Sequence, residues 1–137
     1  MPDRFVGDTI RIIYELKRYE KQAYPASLED ARQYLSATPY LPVGGQFQDL
    51  AEDIVLQKEA RNKLEKARAL YDYISDSLRY AKEGTYGTAD AQYACDAKSG
   101  NCTEFHSLFI SLARSLSIPA RFAVGAAIPT ARDEGGI

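Results

Sequence analysis

An α+β fold built around one core is predicted by three observations on the 137-residue sequence. Two segments, residues 9–19 and 120–128, alternate apolar and polar residues at the strand period. Between them, apolar residues recur at steps of three and four, the mark of helices buried along one face. The chain has the length of a single domain, and its 45% apolar and 26% charged residues are those of a chain that folds rather than one that stays disordered. No internal repeat with a period of twenty to fifty residues is visible.

The elements follow in order. In residues 9–19, Ile10, Ile12, Tyr14 and Leu16 face Arg11, Ile13, Glu15 and Lys17 across a strand. A strand so close to Met1, with no partner before it, leaves a row of backbone groups unpaired, so residues 1–24 are expected to end a preceding β segment. Ser27 with Asp30 three residues on is a variant capping box, and it opens a short helix reaching Tyr34 or Leu35. Two prolines and a glycine pair in residues 38–45 then make a linker that closes the stretch 25–45. Phe47, Leu50, Ile54 and Val55 give the next helix over residues 46–57. Leu64, Ala67, Leu70, Tyr71, Ile74 and Leu78 stripe a long helix over residues 58–81, stopped by Gly84. Residues 83–100 hold three glycines and no sustained period and read as a long loop, of the kind compact domains keep for function. Asn101 with Glu104 three residues later starts the last helix at Cys102. Cys102, Phe105, Phe109, Leu112 and Leu116 form a narrow apolar seam that turns Cys102 inward, and Ile118-Pro119 ends the helix. In residues 120–128, Phe122, Val124, Ala126 and Ile128 alternate with Arg121, Ala123, Gly125 and Ala127, a strand half-buried under that helix.

Charge narrows the partners. A formal net charge of -2 supplies no positive field for nucleic acid or anionic lipid, so neither is an expected partner. The longest apolar stretch near the end, residues 122–129, falls far short of the ~18 residues that span a bilayer. The opening Met1-Pro2-Asp3-Arg4 is unlike a signal peptide, and a cytoplasmic or an exported parent both stay open. Oligomeric state is not predicted.

Chemistry centres on one thiol. A cysteine attacks as the thiolate, and the unpaired N–H groups and dipole of a helix N-terminus favour that form, which is where Cys102 stands. Against this, a cysteine on an apolar seam can simply pack. Cys95 and Cys102 lie seven apart, neither a metal ribbon nor a redox motif, although a disulfide across the loop is open. His106, the single histidine, is four residues from Cys102 on the same helical face, which allows a dyad. Cys95, Cys102 and His106 with Asp96 or Glu104 fit no common zinc module, so no metal site is assigned. Tyr80, Tyr86, Gln92 and Tyr93 are candidate oxyanion donors on the approach to Cys102, with ordinary amphipathic packing as the other reading of the tyrosines. Arg114, on the polar side of its helix, and Arg121, just past the turn, are expected to pack or to form ion pairs.

The segment SGNCTEFHSLFISLARSLSIPARFAVG resembles the nucleophile helix and following strand of the transglutaminase-like superfamily. Its Gly-x-Cys is Gly100 and Cys102, and its later Arg and Ile-Pro-Ala-Arg turn are Arg114, Ile118, Pro119, Ala120 and Arg121. With the helix and loop upstream, the resemblance covers roughly residues 40–129. It implies the papain-like core of that family, with the nucleophile helix packed on an incomplete antiparallel sheet, and makes residues 46–137 the N-terminal part of the domain. It further implies that Cys102 is the catalytic nucleophile of an acyl-transfer or amide-hydrolysing enzyme acting on protein or peptide through a thioester. Neither metal nor organic cofactor is required, and nothing resembles the calcium loops some relatives use for regulation. The family's His and Asp follow several tens of residues later on separate strands. Since no His follows His106, they are expected beyond Ile137 and the fragment is expected to be inactive. A noncatalytic interaction module that kept the fold is the alternative.

Overall fold

The computed structural model of the protein describes residues 31–82 and 86–125, together with Lys17 and Tyr19. Most of the strand expected over residues 9–19 and the helix start expected at Ser27 lie outside the described residues. The described end of that helix tightens into a 3-10 turn at Gln33–Leu35, so the helix stops where the sequence suggests. The Pro/Gly segment that follows is held in place. Thr38 and Leu41 exchange backbone bonds, the Ala91 N–H donates to Tyr40 O at 3.0 Å, and the Gly44 N–H donates to Ser115 Oγ at 3.0 Å.

Helix α1, Gln46–Gln57, buries Phe47, Ala51 and Ile54, spaced four and three apart on one face. Helix α2 spans Lys63–Ser77, shorter at both ends than the periodicity of residues 58–81 suggests. Its start is set by Asn62, which accepts the Glu65 N–H at 3.0 Å while the Glu65 carboxylate accepts the Asn62 N–H, a reciprocal cap. Just before it, Glu59 adopts a left-handed φ of 52° and breaks the helical path. The core stripe of α2 is Ala69, Leu70 and Ile74, continued by Leu78 past the helix end. Leu64 and Tyr71, placed on the stripe by periodicity, are 79% and 57% exposed.

Strands β1, Arg79–Tyr80, and β2, Ser99–Gly100, form the whole sheet among the described residues. They run parallel, with Arg79 opposite Ser99 and Tyr80 opposite Gly100, so the antiparallel expectation is corrected. The reason is connectivity. Parallel neighbours need a crossover, and the chain between them contains helix α3, Ala91–Ala97. That helix corrects the reading of residues 83–100 as loop throughout. It is capped by Asp90, whose carboxylate accepts the Gln92 and Tyr93 N–H groups at 2.8 and 3.3 Å. Local capping, rather than hydrophobic period, defines it.

Helix α4, Cys102–Ser115, is the hub. It packs against α1, α2 and α3, with Leu70, Leu108 and Leu112 fully buried at the centre, and meets the sheet only near its start. The mixed α+β class holds, but α4 is the middle of a helical cluster rather than a lid on a sheet. Its deepest face carries Glu104, Ser107, Leu108 and Ser111, all 0% exposed, while Phe105 and Phe109 of the apolar seam are half-buried. Small serines let the neighbouring helices approach, and the Ser107 hydroxyl is satisfied by Glu104 O at 2.9 Å.

The far end of α4 is tied by Arg114, which is buried rather than on a polar side. Its Nε and Nη2 donate to Ala120 O at 3.0 and 2.7 Å, and its Nη1 donates to Ser36 O at 2.6 Å. Burial pushes the guanidinium pKa down from its ordinary value. The Ala120 N–H donates to Tyr34 O, and Arg121 lies over the Tyr34 ring with Nη1 bonded to its hydroxyl at 3.2 Å. Residues 120–125 are therefore in no strand. Ala120 spends both its backbone groups on Tyr34 and Arg114, which corrects the strand expected over residues 120–128 for its described part; the remainder lies outside the described residues. Among the described residues no helix is long and apolar enough to cross a membrane.

Two leucines of α2 separate core from surface. Leu70→Ala removes a side chain that is 0% exposed and is expected to lower stability by about 2–5 kcal/mol. Leu64→Ala is expected to stay within about 0.5 kcal/mol of the parent. Urea denaturation of the two variants measures the contrast.

Candidate active site

The first turn of α4 is built around the end of β2. Asn101 is the N-cap, and its Oδ1 accepts the Thr103 N–H at 2.8 Å and also bonds the Glu104 N–H. Glu104 returns the bond, its Oε2 accepting the Asn101 N–H at 3.0 Å. The cap thus consumes the N–H groups of Asn101, Thr103 and Glu104. The Cys102 N–H is not among them, so the cap reserves one first-turn amide beside the thiol.

Glu104 does more than cap. Its carboxylate is fully enclosed, and Oε1 accepts the Thr88 and Ala89 N–H groups at 3.0 and 3.1 Å and the Thr103 hydroxyl at 3.2 Å. Burial opposes the charge, but the N–H groups of the 87–89 turn and of Asn101, with the Thr103 hydroxyl, outweigh it and hold the carboxyl below its ordinary pKa. The carboxylate fits because residue 100 is glycine. A Cβ there would stand 2.4 Å from Glu104 Cβ and 2.6 Å from its Cγ, closer than atoms can approach. The Gly-x-Cys pattern therefore has a local physical reason: Gly100 clears the space through which Glu104 folds back onto the cap.

Cys102 is exposed, which corrects the inward orientation read from the apolar seam. The buried face of α4 is centred on Glu104, Ser107, Leu108 and Ser111, and Cys102 does not share it. Cys95 is half-buried and both thiols are free, so the disulfide is not formed. His106 does share a side of the helix with Cys102, but its Nδ1 bonds the Cys102 backbone carbonyl one turn back. Among the described residues no hydrogen bond joins it to the thiol. Its ring also packs against Phe122, centroids 5.7 Å apart, so the imidazole is anchored between backbone and ring. Among the described residues no group of three His, Cys, Asp or Glu side chains could hold a metal ion. Glu104, one of the potential ligands, is occupied by amides.

Of the side chains weighed as oxyanion donors, Tyr80 stands nearest in register, since it pairs with Gly100 two residues before Cys102 and its ring lies 6.2 Å from that of Phe105. The Gln92 amide is engaged with Asp96 and Gln46, and Tyr86 is exposed. One turn beyond Cys102, Tyr71, Ile74, Ser75, Phe105, His106 and Phe109 line an apolar groove of about 400 Å³. A larger hollow, about 710 Å³, is lined by residues between Lys58 and Asp72 and holds no thiol or imidazole. Sequence reasoning missed the turn at residues 87–89. Its one signal is Gly87, and nothing in it names Glu104 as the partner.

The sequence pattern of the transglutaminase-like superfamily matches residues 48–135. An uncharacterized protein of Haemophilus influenzae (strain KW20/Rd) is 29% identical over 110 residues, which is 77% of this chain and 29% of that protein. The chain therefore spans under a third of the length of that relative. No solved structure matches the chain.

Two outcomes are expected here. Gly100→Ala forces the Glu104 side chain off its amides and is expected to cost about 1–3 kcal/mol in urea denaturation. Because the Glu104 carboxyl is held low in the folded chain and returns to its ordinary value on unfolding, its ionised form stabilises the fold above that ordinary value, and the contribution fades as pH falls through the lowered one. Urea midpoints measured from about pH 6 downward should show the parent above Glu104→Gln, with the gap closing as acid is added. Glu65, whose carboxyl is also held low by the Arg61 and Asn62 N–H groups, is common to both chains and cancels in the comparison.

Proposed function

The chain belongs to the transglutaminase-like superfamily, and from that premise we propose that Cys102 is the nucleophile of a cysteine-dependent acyl-transfer or amide-hydrolysing reaction on a protein or peptide substrate. The observation that carries the reading is the exposed thiol at the first position of a helix whose cap satisfies the neighbouring amides and omits that of Cys102. An exposed thiol is reachable by a substrate carbonyl.

The reaction proposed is addition of the Cys102 thiolate to the carbonyl carbon of an amide. The carbonyl π electrons move to oxygen, and the Cys102 N–H, which the Asn101 cap does not use, is the donor this reading assigns to the resulting oxyanion. Collapse reforms the carbonyl, breaks the C–N bond and releases the amine with the proton first taken from the thiol, leaving a thioester. Water or an amine then attacks the thioester and returns that sulfur to the thiol. His106 is bound to a backbone carbonyl, and it is the one histidine of the chain. The reading therefore assigns the base to residues that these 137 do not contain, and asks of this chain only the nucleophile and the oxyanion amide.

The rate of Cys102 alkylation by iodoacetamide at neutral pH, in a Cys95→Ser background, tests the assignment. Alkylation of the folded chain at least as fast as that of the chain unfolded in urea is the expected result, since the thiol is exposed. Alkylation severalfold slower in the folded chain would remove the nucleophile and leave a noncatalytic interaction module as the function of the fold.

A further inference from the structure

The turn held by Glu104 has the form of an anion-binding nest. Gly87 and Ala89 both adopt left-handed backbone, φ 79° and 57°, on either side of Thr88. Such alternation turns successive N–H groups toward one point, a concavity that binds anions. Here the Thr88 and Ala89 N–H groups converge on Glu104 Oε1. An alanine in left-handed backbone is strained, and it persists where its surroundings over-determine it. The ligand that does so is a side chain two residues beyond Cys102.

The same carboxylate is bonded to the Asn101 N–H through Oε2, and the turn passes close to that cap: a Cβ on Gly87 would stand 3.5 Å from Asn101 Nδ2. One buried group thus joins the turn, the cap and the first turn of the helix that presents the thiol. We propose that Glu104 is the positioning residue of this site, holding the 87–89 turn against Asn101 so that it bounds the approach to Cys102 and fixes the helix start from which the Cys102 N–H points. The inference rests on the assignment of Cys102 as nucleophile, and it extends that assignment to a group that touches neither substrate nor sulfur. Glu104 acts through backbone, by setting where a loop can stand.

The test uses the full chain in the Cys95→Ser background, with Glu104→Gln and Glu104→Asp. Asp keeps the charge and can still cap Asn101 but falls one methylene short of the turn. Two readouts are followed: hydrogen exchange at the Thr88 and Ala89 amides, and the ratio of Cys102 alkylation rates with the bulky N-phenylmaleimide and the small iodoacetamide. In both variants the two turn amides are expected to gain about tenfold in exchange rate over the Leu70 and Leu108 amides, whose smaller acceleration reports the loss of global stability. The rate ratio is expected to rise severalfold as the wall is released, a change that general loosening, acting on both reagents alike, would not produce. Unchanged protection at Thr88 and Ala89 overturns the proposal. So does a released turn with an unchanged rate ratio, which would leave Glu104 a purely structural tie, and so does equal acceleration at Leu70 and Leu108. Failure of the nucleophile assignment is read separately, from the iodoacetamide alkylation rate of the folded and the unfolded chain with Glu104 intact.

Discussion

A buried carboxylate must be surrounded by donors or give up its charge, and the way Glu104 meets that constraint organises the site end of this protein. With no cation beside it among the described residues, its two oxygens draw on three backbone N–H groups and one hydroxyl, taken from the 87–89 turn, the Asn101 cap and Thr103. Satisfying the charge is therefore the same event as joining these segments. Gly100 is glycine because the carboxylate passes where a Cβ would be, and Ala89 accepts a left-handed backbone because its N–H is needed.

The other end of α4 repeats the logic with the sign reversed. Arg114 is also buried with no opposite charge beside it among the described residues, and its guanidinium is met by the carbonyls of Ser36 and Ala120. An anion bonded by N–H groups sits at the helix N-terminus and a cation bonded by carbonyls at the C-terminus, the arrangement the helix dipole favours at each end. Each draws in chain from elsewhere: residues 87–89 at one end, residues 34–36 and 118–121 at the other. A helix anchored in this way holds its first residue in a defined position, which is what a thiol at that position requires. Between the two anchors, Leu70, Leu108 and Leu112 close the core.

Much of this organisation was legible in the residues. Asn101 and Glu104 announce the start of α4, and the start is where they put it, because a capping box is a local contact that the chain makes with itself. The same holds for α1 from its apolar spacing and for the end of α4 before Pro119. The apolar stripe misled where burial is polar. Cys102, Phe105 and Phe109 looked like the inward seam, but the deepest side of α4 carries Glu104, Ser107 and Ser111, whose polarity hides their burial from any hydrophobic pattern. Leu64 and Tyr71 failed for the converse reason, apolar residues in the right period that stay largely exposed among the described residues.

By itself the sequence determined the mixed class, the existence of α1, α2 and α4, the capped helix start at Cys102 and the family pattern that runs from Gly100 to Arg121. These depend on residue type and spacing within a few positions. The tertiary structure alone decided the parallel pairing of β1 with β2, the exposure of Cys102, the withdrawal of His106 onto a carbonyl and the partners of Glu104 and Arg114. Apart from the neighbouring Thr103 hydroxyl, those partners are backbone N–H and C=O groups, which every residue except proline carries in full, so no side chain marks which of them a buried charge will find.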